Sequence, residues 1–189
     1  IIGIGRCNLI TKQVLDFCQW EVTTSQQQIS MQTRQQFHDH DIKLVRNISL
    51  MGRTIRSHTH ITNNGNSFIP LVWFPHPFYP QTTTSELCRL NIPVTIEPNE
   101  GYELADNGFI TRKNWPTQAG FYQALDHHAQ SPLTITQRHP SLGLVSASCS
   151  YVPTFFPIWG NQNTFSWEPF LERRIAPQQQ LSWWIDYDF

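Results

Sequence analysis

The chain has 189 residues, 39% hydrophobic and 13% aromatic, enough for one globular domain with its own core and unlike a disordered polymer. Only 14% of residues are charged and the net formal charge is -1, so no electrostatic footprint for nucleic acid or an anionic membrane is present. No run approaches the roughly 18 apolar residues of a membrane-spanning helix, and no signal-peptide pattern opens the chain.

The first residues, Ile1-Ile2-Gly3-Ile4-Gly5, lack an initiator Met and read like the interior of a protein, so a processed chain or a fragment is expected. Trp20-Glu21-Val22 leads into a polar stretch at Ser25 and Gln28, and residues 29–33 resume an extended pattern. Residues 42–50 predict another strand, turned by Met51-Gly52-Arg53 into residues 54–62. There the period-two alternation places Arg56, His58 and His60 on one face and Ile55, Thr59 and Ile61 on the other. Asn63-Asn64-Gly65-Asn66 follows as a turn, because Asn and Gly tolerate positive φ.

Further strands are predicted over residues 92–96, 133–136, 144–149, 165–167 and 181–189. In the last, Trp183, Ile185, Tyr187 and Phe189 share one face, and Ser182, Trp184, Asp186 and Asp188 the other. Helical periodicity is scarce, and thirteen prolines punctuate loops. No linker or repeat divides the chain. The expectation is a single all-β domain over residues 1–189, a sandwich or barrel.

Three clusters carry candidate chemistry. In Leu71-Val72-Trp73-Phe74-Pro75-His76-Pro77-Phe78-Tyr79-Pro80, two prolines restrict the backbone around His76. Aromatics such as Trp73 and Phe78 would exclude water there and offer flat faces to a sugar ring. His76 is either a proton donor or acceptor near neutral pH or the cap of a rigid buried corner. In Thr164-Phe165-Ser166-Trp167-Glu168-Pro169-Phe170 a lone carboxylate follows a strand. Partial burial would suit Glu168 to general-base work; the alternative is a Glu168 at a strand end that faces water or pairs with Arg173 or Arg174. Leu125-Asp126-His127-His128 would bind hydroxyls or a metal, or form a solvated loop.

A rival constellation, His38-Asp39-His40-Asp41 with His58-Thr59-His60, has the HxH spacing of metal sites on strands, but no downstream Glu and His complete it at fitting spacing. No metal and no cofactor is expected. Cys7, Cys18, Cys88 and Cys149 are scattered with no CxxC pair, as in buried free thiols of a reducing, cytoplasmic setting.

In order, these segments resemble the aldose 1-epimerase (galactose mutarotase-like) family from about Trp20 to the end. The family's V-x-N-x-G strand and H-P-Y-F-like segment are matched by Ile61-Thr62-Asn63-Asn64-Gly65 and by His76-Pro77-Phe78-Tyr79. Its D-H-x-F-like element is matched by Asp126-His127-His128, where Ala129 departs from the aromatic ending. Its E-P-W and L-A-P-G-E-S segments are matched by Glu168-Pro169-Phe170 and by Ile175-Ala176-Pro177-Gln178. The resemblance implies a galactose mutarotase-like β-sandwich (a supersandwich) short of its N-terminal strands. It also implies interconversion of hexose anomers, with His76 as general acid, Glu168 as general base and Asp126 as a ligand of sugar hydroxyls. Arg6 stands where a family arginine contacts sugar, while no histidine precedes Gly3 or Gly5, so the family's second histidine has no counterpart. A non-catalytic carbohydrate-binding sandwich that keeps the aromatic pocket is the alternative.

Overall fold

The computed structural model describes residues 1–113 and 120–189, and every regular element among them is a β-strand. In chain order these are β1 (Gly5–Asn8), β2 (Gln13–Phe17), β3 (Glu21–Thr24), β4 (Gln28–Phe37), β5 (His40–Met51), β6 (Thr54–Asn63) and β7 (Ile69–Trp73). Next come β8 (Tyr79–Pro80), β9 (Glu86–Leu90), β10 (Val94–Thr95), β11 (Tyr102–Leu104), β12 (Phe109–Arg112) and β13 (Phe121–His127). The last are β14 (Thr134–His139), β15 (Gly143–Cys149), β16 (Phe156–Gly160), β17 (Thr164–Trp167), β18 (Leu171–Ile175) and β19 (Gln180–Asp188). No helix among the described residues is long and apolar enough to cross a membrane.

The chain divides into two compact units, Ile1–Leu71 with Arg173–Ile185, and Val72–Glu172 with Asp186–Phe189. In the first, the strands lie in the order β3-β4-β5-β6-β19, and β1 and β2 form a separate hairpin. The long hairpins β4–β5 and β5–β6 are antiparallel and in continuous register, from Gln28↔Ser49 to Phe37↔His40 and from Ile42↔Asn63 to Met51↔Thr54. Alternation does the sorting: Thr33, Ile42, Thr59, Ile61 and Asn63 are buried, and Arg34, Lys43 and Asn64 are not.

The turn read at Asn63-Asn64-Gly65-Asn66 closes this unit around a buried side chain. The Asn63 amide donates to the carbonyls of Ser67 (2.8 Å) and Ile175 (3.0 Å), and its oxygen accepts from the Gly65 N–H (3.0 Å). A β-carbon on Gly65 would stand 2.4 Å from the Asp39 carbonyl oxygen and 2.7 Å from the Asp41 nitrogen, so only glycine lets the β4–β5 hairpin approach so closely.

In the second unit, two five-stranded arrays lie in the orders β11-β12-β9-β14-β15 and β10-β13-β16-β17-β8. Their inward faces are largely apolar: Cys88, Ile110, Ile135, Val145 and Ala147 from the first array, with Gln137 as a buried polar side chain among them, and Leu125, Phe156, Ile158, Phe165 and Trp167 from the second.

The sequence expectations needed adjustment in several places. The strand predicted over 92–96 shrinks to Val94–Thr95, and Pro93, which has no N–H to give a ladder, bounds it at its start. Residues 126 and 127 end β13 instead of forming a solvated loop. Of the four thiols, Cys88 and Cys149 are buried, but Cys7 and Cys18 are half-exposed on the N-terminal segment; all four are free. His38 and His40 sit at the tip of the β4–β5 hairpin, where His38 adopts a left-handed φ of 50°. His60 is bonded at Nδ1 to Ser182 Oγ (2.7 Å) and at Nε2 to Thr62 Oγ1 (3.2 Å). Among the described residues, no three His, Cys, Asp or Glu side chains gather to hold a metal ion.

Candidate functional site

The outward face of the array β10-β13-β16-β17-β8 carries the candidate site. Register aligns Tyr122 on β13 with Trp159 on β16, and Trp159 with Ser166 on β17. Ala124 pairs with Pro157, and the Glu168 N–H donates to the Pro157 carbonyl (2.9 Å), so Ala124, Pro157 and Glu168 form the next row. Period-two alternation therefore turns Ser166 and Glu168 to one face while Phe165 and Trp167 enter the core.

The backbone around Glu168 is fixed from both sides. Its own N–H is tied to β16, and the Tyr151 hydroxyl donates to the Pro169 carbonyl (2.9 Å). Glu168 is only 7% exposed. Burial raises its pKa above the ordinary glutamate value, an effect partly offset by nearby His76.

His76 reaches the same point from the Pro75-His76-Pro77 segment. Its Nε2 lies 3.3 Å from Glu168 Oε1, with 37% of the imidazole side chain exposed. Its Nδ1 lies 3.0 Å from the Ser166 hydroxyl. Phe78 stacks on the imidazole at 4.4 Å between centroids, and Trp159 meets it edge-on at 6.1 Å. Phe74 lies at 6.2 Å from His76 and stacks on Phe170 at 4.3 Å, and Phe155 meets Phe170 edge-on. Phe78 and Tyr122 remain largely open to solvent, at 65% and 57%. Tyr122 has its hydroxyl pKa raised by burial and by the negative charge of Glu168, which places it within electrostatic reach of that carboxylate.

Of the residues singled out from sequence, the structure thus gathers His76, Glu168 and Phe78. Glu168 meets His76. Trp73 lies next in sequence to Phe74 but sets its ring edge-on to Tyr151 (6.2 Å). Asp126 lies on the same sheet face as Tyr122 and Ala124, exposed at the end of β13 and paired in register with Thr95. Arg6 belongs to the first unit, where it pairs with Asp16 at 2.5 Å. Tyr122, Trp159 and Ser166 are the site residues that sequence reasoning missed. Only Ser166 had a signal, since it sits two positions before Glu168 on one strand.

Chemically, the face sets an imidazole in contact with a carboxylate beside flat apolar rings. One group can hold a proton while the other accepts one, and the rings suit the apolar face of a sugar ring.

No protein-family model matches the sequence, and no curated protein matches it. Solved structures do share its fold. The galactose mutarotase related enzyme from Lactobacillus acidophilus aligns with a TM-score of 0.66 at 10% identity, over 89% of this chain and 70% of that one. A candidate aldose 1-epimerase from Escherichia coli K12 aligns with a TM-score of 0.64 at 12% identity, over 92% of this chain and 68% of that one. Another from Klebsiella pneumoniae gives 0.63 at 13% identity, over 90% of this chain and 53% of that one. The chain thus spans 53% to 70% of the length of these structures. Its fold is the all-β, galactose mutarotase-like sandwich of these proteins.

Proposed function

We propose that this chain carries the acid–base site of an aldose 1-epimerase-like protein, which interconverts the α and β anomers of a hexose by opening and reclosing its ring. The observation that supports this best is the contact of His76 Nε2 with Glu168 Oε1 at 3.3 Å beneath an exposed aromatic rim. The anomeric hydroxyl and the ring oxygen of an aldose hang on the same carbon. An acid and a base that act on them together must therefore be near neighbours, as His76 and Glu168 are. The names of the aligned structures, a galactose mutarotase related enzyme and candidate aldose 1-epimerases, point the same way.

Glu168, ionised, takes the proton of the anomeric hydroxyl, while doubly protonated His76 gives its Nε2 proton to the ring oxygen. The bond from C1 to the ring oxygen breaks and C1 becomes a carbonyl. After rotation about C1–C2 the ring oxygen attacks the opposite face of the carbonyl. His76 takes back its proton, and Glu168 returns one to the new anomeric hydroxyl. Each positioned transfer contributes about 10²–10⁴-fold, and no metal or cofactor takes part. Phe78 and Trp159 would cover the sugar's apolar face, and Asp126, at the far end of β13, would hold remote hydroxyls. The four free thiols fit a reducing, cytoplasmic setting.

A second reading, a sugar-binding module without catalysis, is favoured by one feature: the 3.3 Å contact engages His76 and Glu168 with each other. Polarimetry of freshly dissolved α-D-glucose and α-D-galactose separates the two. Acceleration by the folded protein that is lost in Glu168→Gln supports the epimerase. Binding without acceleration supports the module.

A further inference from the structure

We infer that Ser166 is a positioning residue: its buried hydroxyl accepts the Nδ1–H of His76 and so reserves Nε2 as the ring nitrogen that exchanges a proton. The inference concerns the site proposed above, and only its kinetic arm rests on that proposal.

The geometry carries it. Ser166 Oγ lies 3.0 Å from His76 Nδ1, and Ser166 is 0% exposed, so bulk water does not compete for the hydroxyl. The opposite ring nitrogen faces Glu168 Oε1 at 3.3 Å. A half-turn of the imidazole would put Cδ2 against Ser166 and Cε1 against Glu168, and both polar contacts would be lost. Phe78, stacked at 4.4 Å, and the edge of Trp159, at 6.1 Å, confine the ring plane. The orientation of His76 is therefore set by two polar partners and two rings.

The proton inventory explains why this matters. An imidazole holding only an Nε2 proton would become an imidazolate on giving it up, so it is a poor acid. A ring that carries both protons can give the one on Nε2 and remain neutral, keeping the one on Nδ1. A hydrogen-bond acceptor at Nδ1 stabilises the ring before and after that transfer. The tautomer of a histidine follows the bond made by the nitrogen that does not react, and Ser166 offers that bond here. The nucleophile–base–orienter logic of known acid–base sites has the same form, with a third group aligning the imidazole.

The decisive measurement is the tautomer of His76 in Glu168→Ala, where no carboxylate competes for the Nε2 proton, read from its ring nitrogen shifts by proton–nitrogen NMR at a pH where the ring is neutral. That variant is expected to hold the proton on Nδ1, and the double variant Ser166→Ala/Glu168→Ala to shift it to Nε2. An Nε2–H tautomer in Glu168→Ala, or an Nδ1–H tautomer unchanged in the double variant, overturns the inference. Should the double variant fail to fold, the Glu168→Ala spectrum still decides, because an Nε2–H ring is incompatible with the bond proposed. In the anomer-exchange assay, Ser166→Ala should lower kcat on the order of tenfold or more with KM nearly unchanged. An unchanged kcat alongside a switched tautomer would also overturn the positioning role. Wild type without anomer exchange would refute the epimerase reading alone, and the spectrum would still report on Ser166.

Discussion

Replacing Glu168 with Gln keeps the shape of the side chain and removes its capacity to take a proton, so it separates the base from the scaffold. If Glu168 receives the anomeric proton, its loss should slow anomer exchange by about 10²–10⁴-fold. That is roughly 3–5 kcal/mol of barrier. Sugar affinity should change little, because Phe78 and Trp159 are untouched. The assay is polarimetry or proton NMR of freshly dissolved α-D-glucose or α-D-galactose. A variant that exchanges anomers as fast as wild type, or that loses binding and exchange together, would refute the role as base.

The same substitution makes a prediction of opposite sign for stability. Burial raises the folded pKa of Glu168 above its unfolded value, and His76 only partly counters this. A raised carboxylate adds stability that is fully present below the unfolded pKa and is lost as pH rises through the folded pKa. At neutral pH, wild type therefore bears the cost of an ionised, nearly buried carboxylate. Glu168→Gln should be the more stable protein there, and its advantage should vanish as pH falls into the ordinary glutamate range. Urea midpoints of both proteins across that range give the comparison. A Gln variant less stable at neutral pH would mean that the contact with His76 outweighs burial.

The fold makes three further predictions. Phe156 is fully buried in the second unit, and Phe156→Ala should cost about 3–5 kcal/mol in urea unfolding. Asn63→Ala removes three hydrogen bonds at a fully buried position and strands their backbone partners; a loss of roughly 2–5 kcal/mol is expected, with an unchanged midpoint counting against the closing role of this turn. The Arg34 guanidinium holds the Asp41 carboxyl down at about 2. Arg34→Met should return that carboxyl to the ordinary aspartate range by NMR titration. The stability that this depressed pKa contributes is present above the ordinary aspartate value and is lost as pH falls toward about 2, so acid unfolding of the variant should lack that component.

Much of this was legible in the sequence wherever one face of a strand is buried. Residues 54–62 alternate because Thr59 and Ile61 meet the core while His58 and His60 do not, and the predicted strand nearly coincides with β6. The N-terminal hairpin was missed for the converse reason: every residue of β2 is exposed, so no period could be written into Gln13–Phe17. At the site, His76 and Glu168 announced themselves through flanking prolines and aromatics. Tyr122 and Trp159 did not, since their relation to Ser166 exists only once three strands are in register. In this proline-rich stretch Phe74 lies 6.2 Å from the His76 ring, while Trp73 sets its ring edge-on to Tyr151.

Glu168 and His76 hold their places because the strand that leads into Glu168 and the segment that carries His76 are fastened together by the core beneath them. Tyr79 follows Phe78 directly, pairs in register with Phe165, and lies 5.9 Å from the ring of fully buried Trp167. Thr164 Oγ1 donates to the Tyr79 carbonyl at 2.9 Å, which closes the same joint at its polar edge. Each strand thus presents one residue to the core and the next to the site: Tyr79 beneath Phe78, and Trp167 between Ser166 and Glu168. The prolines on both sides of His76, and the one after Glu168, restrict the backbone where each segment leaves the sheet. A cavity opened under this joint would loosen the imidazole and the carboxylate together, so core packing and the geometry of the His76–Glu168 pair are coupled through β8 and β17.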